Sequence, residues 1–117
     1  MENDYFRKVI EFFDRGRKEY EDGLRERDTL KVREGCEKIF HSFVELSNGI
    51  LSEHGIQIPK NHIERSKRLD TIGLGSTYDW IKERLHNICY YEGVIEVDWL
   101  KSAIDSVKAE IERRVSR

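Results

Sequence analysis

The densest group of side chains that could carry chemistry lies in residues 76–93, STYDWIKERLHNICYYEG. An arginine can hold a phosphate group, a histidine can move a proton near neutral pH, and a Trp or Tyr ring can stack on a nucleobase. The segment therefore supplies a candidate binding set of seven residues: Asp79, Trp80, Arg84, His86, Asn87, Tyr90 and Tyr91.

Arg84 and His86 are the candidate catalytic residues within this set. They are two positions apart, so on an α-helix they point about 200° from each other and do not share a face. The same spacing predicts Arg84 beside Trp80 and Tyr91, and His86 beside Tyr90. A helix whose aromatic residues only complete a core or a dimer seam is the alternative interpretation, and we favour it because aromatic residues at helical spacing usually serve packing.

The four histidines, His41, His54, His62 and His86, do not form a recognisable metal motif. No pair has the i, i+4 spacing with which one helix holds a metal ion, and no HExxH sequence occurs. We therefore expect no metal site and no cofactor.

The two cysteines, Cys36 and Cys89, fall on the apolar faces of predicted helices. A free cysteine behaves as a small hydrophobic residue, so we predict two buried free thiols. A single disulfide would need an oxidising compartment, and no signal peptide precedes the first helix to suggest export.

The glycines Gly73 and Gly75 come just before a predicted helix, where backbone N–H groups can bind an anion. The stretch lacks both the dinucleotide fingerprint and the phosphate-loop lysine. A plain connector is the favoured interpretation, and anion binding by this loop stays open.

Length and composition indicate one domain spanning residues 1–117. Hydrophobic and charged residues each make up 38% of the chain, which is typical of amphipathic helices with solvated outer faces. The net charge of −2 gives no global basic field for nucleic acid. No apolar run is long enough to span a membrane, so we expect a cytoplasmic protein without a membrane partner.

Apolar residues recur at helical spacing through most of the chain, and no segment alternates long enough to form a sheet. We predict five helices, at residues 4–23, 28–54, 61–70, 76–91 and from 98 to the C-terminus. The start signals are Asn3 or Asp4, Asp28 or Thr29, Asn61 with Glu64, Ser76 with Asp79, and Asp98; the stop signals are Gly23, Gly55 and Gly93. The fold class is all-α, an up-and-down helical bundle of four to five helices.

Two stretches in the last two helices, RLHNICYYEG and VDWLKSAIDSVKAEIERR, carry a family resemblance. With their leucine–histidine pair, their aromatic–aromatic–Glu–Gly ending and the Val/Leu-rich helix that follows, they resemble the C-terminal half of the archaeal PaREP1-type branch of the HEPN superfamily. The resemblance implies a bundle of four or five helices, often a homodimer. It also implies a partner of the nucleotidyltransferase type, in toxin–antitoxin or related systems, or metal-independent ribonuclease activity.

The ribonucleases of that superfamily use an Arg and a His separated by four to six residues. No histidine of this chain has an Arg at that spacing: Arg84 is too close to His86, and Arg33 is one residue too far from His41. The resemblance thus implies a non-catalytic or unconventional member, in which His86 keeps only the motif position of its own branch.

Two functions follow as expectations. The first is a small, dimeric, HEPN-like interaction module that binds a partner protein or RNA without cleaving it. The alternative is a metal-independent ribonuclease with an unconventional Arg/His site, in which Arg84 holds phosphate and His86 is the general base.

Overall fold

The structure, a computed structural model, describes residues 3–115. Those residues form an all-helical bundle without strands. Its elements are α1 Asp4–Arg7, α2 Val9–Glu26, α3 Thr29–Glu53, α4 His62–Asp70, α5 Gly75–Lys82, a π-helix Glu83–Tyr91 that continues α5 directly, and α6 Val97–Arg114. The predicted all-α helical bundle is confirmed, with α1 and α2 together filling the place of the first predicted helix.

The helix starts agree with the sequence signals at three of five positions. The side chains of Asn3, Asp28 and Asn61 each accept a hydrogen bond from a backbone N–H in the first turn of the helix that follows. The predictions at Ser76 and Asp98 are wrong. The helices there begin at Gly75 and Val97, which places both polar residues inside the first turn.

The α2–α3 hairpin packs antiparallel at very short range, and glycines make that approach possible. A Cβ on Gly16 would lie 2.8 Å from the backbone nitrogen of Ile39, and one on Gly35 would lie 2.5 Å from that of Tyr20. Gly23 approaches Val32 in the same way. The prediction that Gly23 ends this helix is wrong, because α2 continues beyond it to Glu26. The helix ends at Glu26, and the C-cap residue Arg27 takes the left-handed conformation with φ 57°.

The apolar stripes predicted for the long helices form one continuous core. In α3 every member of the predicted stripe is buried: Val32, Cys36, Ile39, Phe40, Phe43, Leu46, Ile50 and Leu51. Leu100, Ala103, Ile104, Val107 and Ile111 contribute the face of α6. Tyr78 of α5 is completely buried as well.

Three side chains of α3 hold the π-helix in place. Arg33 donates from Nε to the carbonyl of Tyr90 at 2.8 Å and from its guanidinium to that of Tyr91 at 3.0 Å. One turn further on, Cys36 is joined to Cys89 and Glu37 contacts His86. Between these ties the segment winds with i→i+5 bonds in place of the ordinary α-helical pattern, as from the Glu92 N–H to the Asn87 carbonyl at 2.9 Å.

The expectation of two free thiols is wrong, because Cys36 and Cys89 are paired as a disulfide. Both lie on apolar helix faces, as predicted, and both are completely buried. The sequence could not show that their faces meet, since 53 residues separate them along the chain.

Within residues 3–115, no helix has both the length and the apolar character needed to cross a membrane.

Candidate functional site

An open cleft of about 400 Å³ lies between α3, α4 and the π-helix, and we call it the histidine cleft. Its walls carry three imidazoles, a carboxylate, two cations and an apolar floor. The lining residues are Glu37, Phe40, His41, Val44, Lys60, Asn61, His62, Arg65 and His86. Such a mixture of apolar wall and convergent polar groups is typical of a small-molecule or nucleotide site.

His86 and Glu37 form a carboxylate–imidazole pair on one wall of the cleft. His86 Nδ1 lies 2.8 Å and 3.1 Å from the two carboxylate oxygens of Glu37, and only 13% of the histidine side chain is exposed. A carboxylate at this distance fixes a proton on Nδ1, so the Nδ1–H donates to Glu37 and Nε2 is the ring nitrogen that remains for a ligand. The arrangement makes His86 a candidate general base with a defined ring orientation.

His62, on the first turn of α4, faces His86 with a ring-centroid distance of 5.1 Å. Burial, followed by the charges of His86, Arg65 and Lys82, lowers the pKa of His62 to about 4. The hydroxyl of Tyr78 donates to His62 Nδ1 at 2.8 Å, and burial raises the pKa of that hydroxyl, which keeps its proton in place. His62 is therefore neutral at pH 7 and carries its proton on Nε2, as a hydrogen-bond donor.

Arg65 is a buried cation without an acidic partner. Its side chain is 6% exposed, and its donors reach Asn48 Oδ1 at 2.9 Å, Pro59 O at 3.2 Å and the Tyr78 hydroxyl at 3.3 Å. All of these acceptors are neutral, and no carboxylate among residues 3–115 pairs with it. An uncompensated guanidinium in the wall of a cleft favours an anionic ligand.

Two tyrosine rings of the π-helix lie against His86. Tyr90 stacks near it with a centroid distance of 6.2 Å and an interplanar angle of 17°, and Tyr91 meets its edge at 4.8 Å. Tyr91 is 65% exposed, so one ring is available at the surface for a base to stack on. The predicted grouping of Tyr91 with Arg84 is wrong, because the π-helix brings residues five apart onto one face.

The rest of the predicted set lies away from the histidine cleft. The guanidinium carbon of Arg84 lies 4.0 Å from the ring centre of Trp80 and 4.3 Å from that of Trp99, so the prediction of Trp80 beside Arg84 is confirmed. Asn87 donates to Glu83 at the surface, at 2.9 Å, and Asp79 is exposed on α5. The structure therefore brings His86, Tyr90 and Tyr91 together and leaves Arg84, Asn87 and Asp79 outside the cleft.

The Gly73–Gly75 loop already has a carboxylate at its helix start. A Cβ on Gly75 would lie 2.9 Å from Oδ1 of Asp70, so this acidic side chain lies against the first turn of α5.

Among the described residues, no group of three or more His, Cys, Asp or Glu side chains forms a metal-binding cluster.

Sequence reasoning missed Glu37, His62 and Arg65. One signal was present in α4. His62, Arg65 and Leu69 are spaced so that they lie on one face of that helix, and Leu69 is its only leucine, so the two polar residues share the buried face. No local pattern marks Glu37, whose partner lies 49 residues away.

Comparison of the chain with protein-family models, with curated proteins and with solved structures finds no match. The resemblance to the HEPN superfamily therefore stays a prediction.

Proposed function

We propose that the histidine cleft cleaves single-stranded RNA without a metal ion, through attack of a ribose 2′-hydroxyl on the adjacent phosphate. The observation that supports this most is the Glu37–His86 pair, which faces a neutral His62 and the uncompensated Arg65 in one cleft. Of the two functions expected from the sequence, we therefore favour RNA cleavage over binding without cleavage. The residues proposed for the chemistry differ from those expected, because Arg65 takes the place of Arg84.

In this proposal His86 is the general base. Nε2 takes the proton of the 2′-hydroxyl, and Glu37 stabilises the imidazolium that forms. The bond from the 2′-oxygen to phosphorus forms as the bond to the 5′-oxygen breaks, and the 5′-oxygen takes a proton from solvent at the open mouth. The products are a 2′,3′-cyclic phosphate and a 5′-hydroxyl.

Arg65, Lys60 and His62 bind the phosphate. Arg65 supplies positive charge from the wall, and Lys60 is exposed and makes no ion pair with another described residue. Neutral His62 donates its Nε2–H to a phosphoryl oxygen, a role in which a low pKa is useful because the ring does not repel neighbouring cations. Three donors around one phosphate give the electrostatic stabilisation that a metal ion would otherwise supply.

Tyr91 gives the site its preference for single strands. A ring that is 65% exposed and lies 4.8 Å from the ring of His86 can stack on an unpaired base beside the reacting phosphate. The HEPN resemblance supports the same reaction class, since metal-independent RNA cleavage is common in that superfamily.

The test is incubation of the protein with end-labelled single-stranded RNA in the presence of a chelator, comparing wild type with His86→Ala and with His54→Ala. His54 is exposed at the end of α3 and lies outside the cleft, which makes it the matched control. We expect His86→Ala to cleave about 10²–10⁴-fold more slowly and His54→Ala to cleave like wild type. Equal loss in both variants, or none in either, would contradict the proposal.

Binding without cleavage, as a homodimer, is the second candidate, and exposed apolar side chains favour it. Four large ones lie within nine residues: Tyr91, Val94, Val97 and Trp99. Such clustering is typical of an interaction surface. Equilibrium sedimentation of wild type and Val94→Asp tests it: a wild-type dimer that the variant loses supports a seam here, and a monomeric wild type rejects it. A partner of the nucleotidyltransferase type remains part of this second proposal.

A further inference from the structure

The bond between Cys36 and Cys89 lies at the centre of the contact that assembles the cleft. Cys36 directly precedes Glu37 on α3, and Cys89 follows His86 by three positions on the π-helix. The Cα atoms of the two cysteines are 6.4 Å apart, and both residues are completely buried. This covalent link therefore joins the segment that supplies the carboxylate to the segment that supplies the base.

We propose that the Cys36–Cys89 disulfide is a redox-sensitive positioning device that holds His86 on Glu37, so that reduction of the bond switches the cleft off. The effect on cleavage rests on the proposed function, whereas the effect on His86 itself does not.

The distances explain why opening the bond matters. A disulfide holds its sulfur atoms about 2 Å apart, whereas two unbonded atoms of this kind need about 3.5–4 Å. In a closely packed core that difference is taken up by rotation of the cysteine side chains together with a shift of the segments that carry them. The hydrogen bond from His86 to Glu37 is 2.8 Å long, and a displacement of about 1 Å takes it beyond hydrogen-bonding range.

We expect the π-helix, and not α3, to change conformation when the disulfide opens. It is a rare winding held by contacts from α3, and its conversion to an α-helix would separate residues five apart by about 140° around the axis. His86 and Tyr91, which now share one face, would then part. Arg33 would still hold the carbonyls of Tyr90 and Tyr91, so the change is confined to the winding between that clamp and α5.

The chemistry is a two-electron exchange with a dithiol. A thiolate of the reductant attacks one sulfur, the disulfide bond breaks through a mixed disulfide, and the second thiol of the reductant releases the protein. Cys36 and Cys89 end as thiols with one proton each, and the reductant ends as its own disulfide. Because both cysteines are buried, attack requires the π-helix to open locally, and reduction is slow without that opening.

The experiment uses the full chain labelled with ¹⁵N at its histidines, before and after treatment with dithiothreitol and without RNA. In the oxidised protein we expect His86 to show the shifts of a ring protonated on Nδ1 and unprotonated on Nε2. After reduction, confirmed by counting two thiols per chain, we expect these shifts to move towards a mixture of tautomers. His54, whose Nδ1 lies 2.9 Å from the carbonyl of Ile50, is the internal control and should not move.

A double variant, Cys36→Ser with Cys89→Ser, which keeps an atom at each sulfur position without a bond between them, keeps the test decisive if reduction unfolds the wild type. It should show the mixed tautomers at once and should not respond to dithiothreitol. RNA cleavage is measured in parallel, with an expected loss of about tenfold or more on reduction. Unchanged His86 shifts in a fully reduced protein, or in the double variant, would overturn the inference. If no cleavage occurs in any state, the proposed function fails while the shifts still decide the role of the disulfide.

Discussion

Oε1 of Glu37 lies 2.8 Å from Nδ1 of His86, and the two residues are 49 positions apart in the chain. The carboxylate comes from α3 and the imidazole from the π-helix, so the pair exists only in the folded protein. Its consequence is a defined ring orientation: Nδ1–H donates to Glu37, and Nε2 is the nitrogen that remains for a ligand.

Glu37→Gln tests the charge of that carboxylate. The amide keeps the size of the side chain and can still accept from Nδ1, but it does not stabilise an imidazolium. We expect RNA cleavage to fall about tenfold or more with RNA affinity nearly unchanged, as measured by initial rates and by fluorescence anisotropy. Glu34→Gln, one turn back on the same helix, is the control, and an equal loss there would rule out a specific role for Glu37.

Because Arg65 is a buried cation without an acidic partner among the described residues, we expect the free energy of unfolding to depend on the anion present. A phosphate ion that binds only the folded protein raises the free energy of unfolding, by about 1.4 kcal/mol at ten times its dissociation constant. We expect inorganic phosphate to raise the melting temperature of the wild type relative to chloride at equal ionic strength, and not to raise that of Arg65→Met.

Arg68→Met is the control for that comparison, because Arg68 lies on the same helix, is partly exposed and is bonded to the carbonyl of Gln57. It should keep the phosphate response. A response that survives in Arg65→Met would show that the phosphate binds elsewhere.

The lowered pKa of His62 predicts a loss of stability in mild acid. The folded protein holds His62 neutral down to about pH 4, whereas the unfolded chain takes up the proton near pH 6.5. The unfolded state therefore binds more protons between these values, and the free energy of unfolding falls as the pH drops from 6.5 to 4. The open cleft screens part of the effect, which leaves about 1–2 kcal/mol.

Urea unfolding at pH 7 and pH 4.5 measures this term, with His62→Gln as the variant that lacks it. The wild type should lose more stability between the two pH values than the variant does. Parallel losses in both proteins would contradict a neutral His62.

Gly35→Ala tests the close approach of α2 and α3. The added Cβ would lie 2.5 Å from the backbone nitrogen of Tyr20, and a backbone atom cannot move aside as a side-chain tip does. We expect a loss of about 1–3 kcal/mol in the free energy of unfolding, although alanine favours the helix. Ser52→Ala, at an exposed position of α3, should be nearly neutral in the same denaturation measurement.

The sequence predicts the helices and their buried faces because both depend on local spacing. The α3 stripe is correct at each position, and the caps at Asn3, Asp28 and Asn61 use side chains that bond within one turn. The two failed starts, at Ser76 and Asp98, show the limit of the same rule, since the helices there begin at Gly75 and Val97 without any side-chain cap.

The site was only partly predictable, because its parts meet through tertiary contacts. His86, Tyr90 and Tyr91 could be chosen from the sequence, but the α-helical period assigned Tyr91 to Arg84, and only the π-helical winding places it on His86. The pairings of Glu37 with His86 and of Cys36 with Cys89 span about half the chain, and no local pattern encodes them.

The most direct test of the account is the chemical identity of the RNA ends that the protein produces in the presence of a chelator. Mass spectrometry of a short single-stranded RNA treated with wild type should find 2′,3′-cyclic phosphate and 5′-hydroxyl ends, and an RNA with one 2′-deoxy position should stay intact at that site. RNA that remains uncut, or cleavage that continues at the deoxy position, would contradict a metal-independent attack by the 2′-hydroxyl in the histidine cleft.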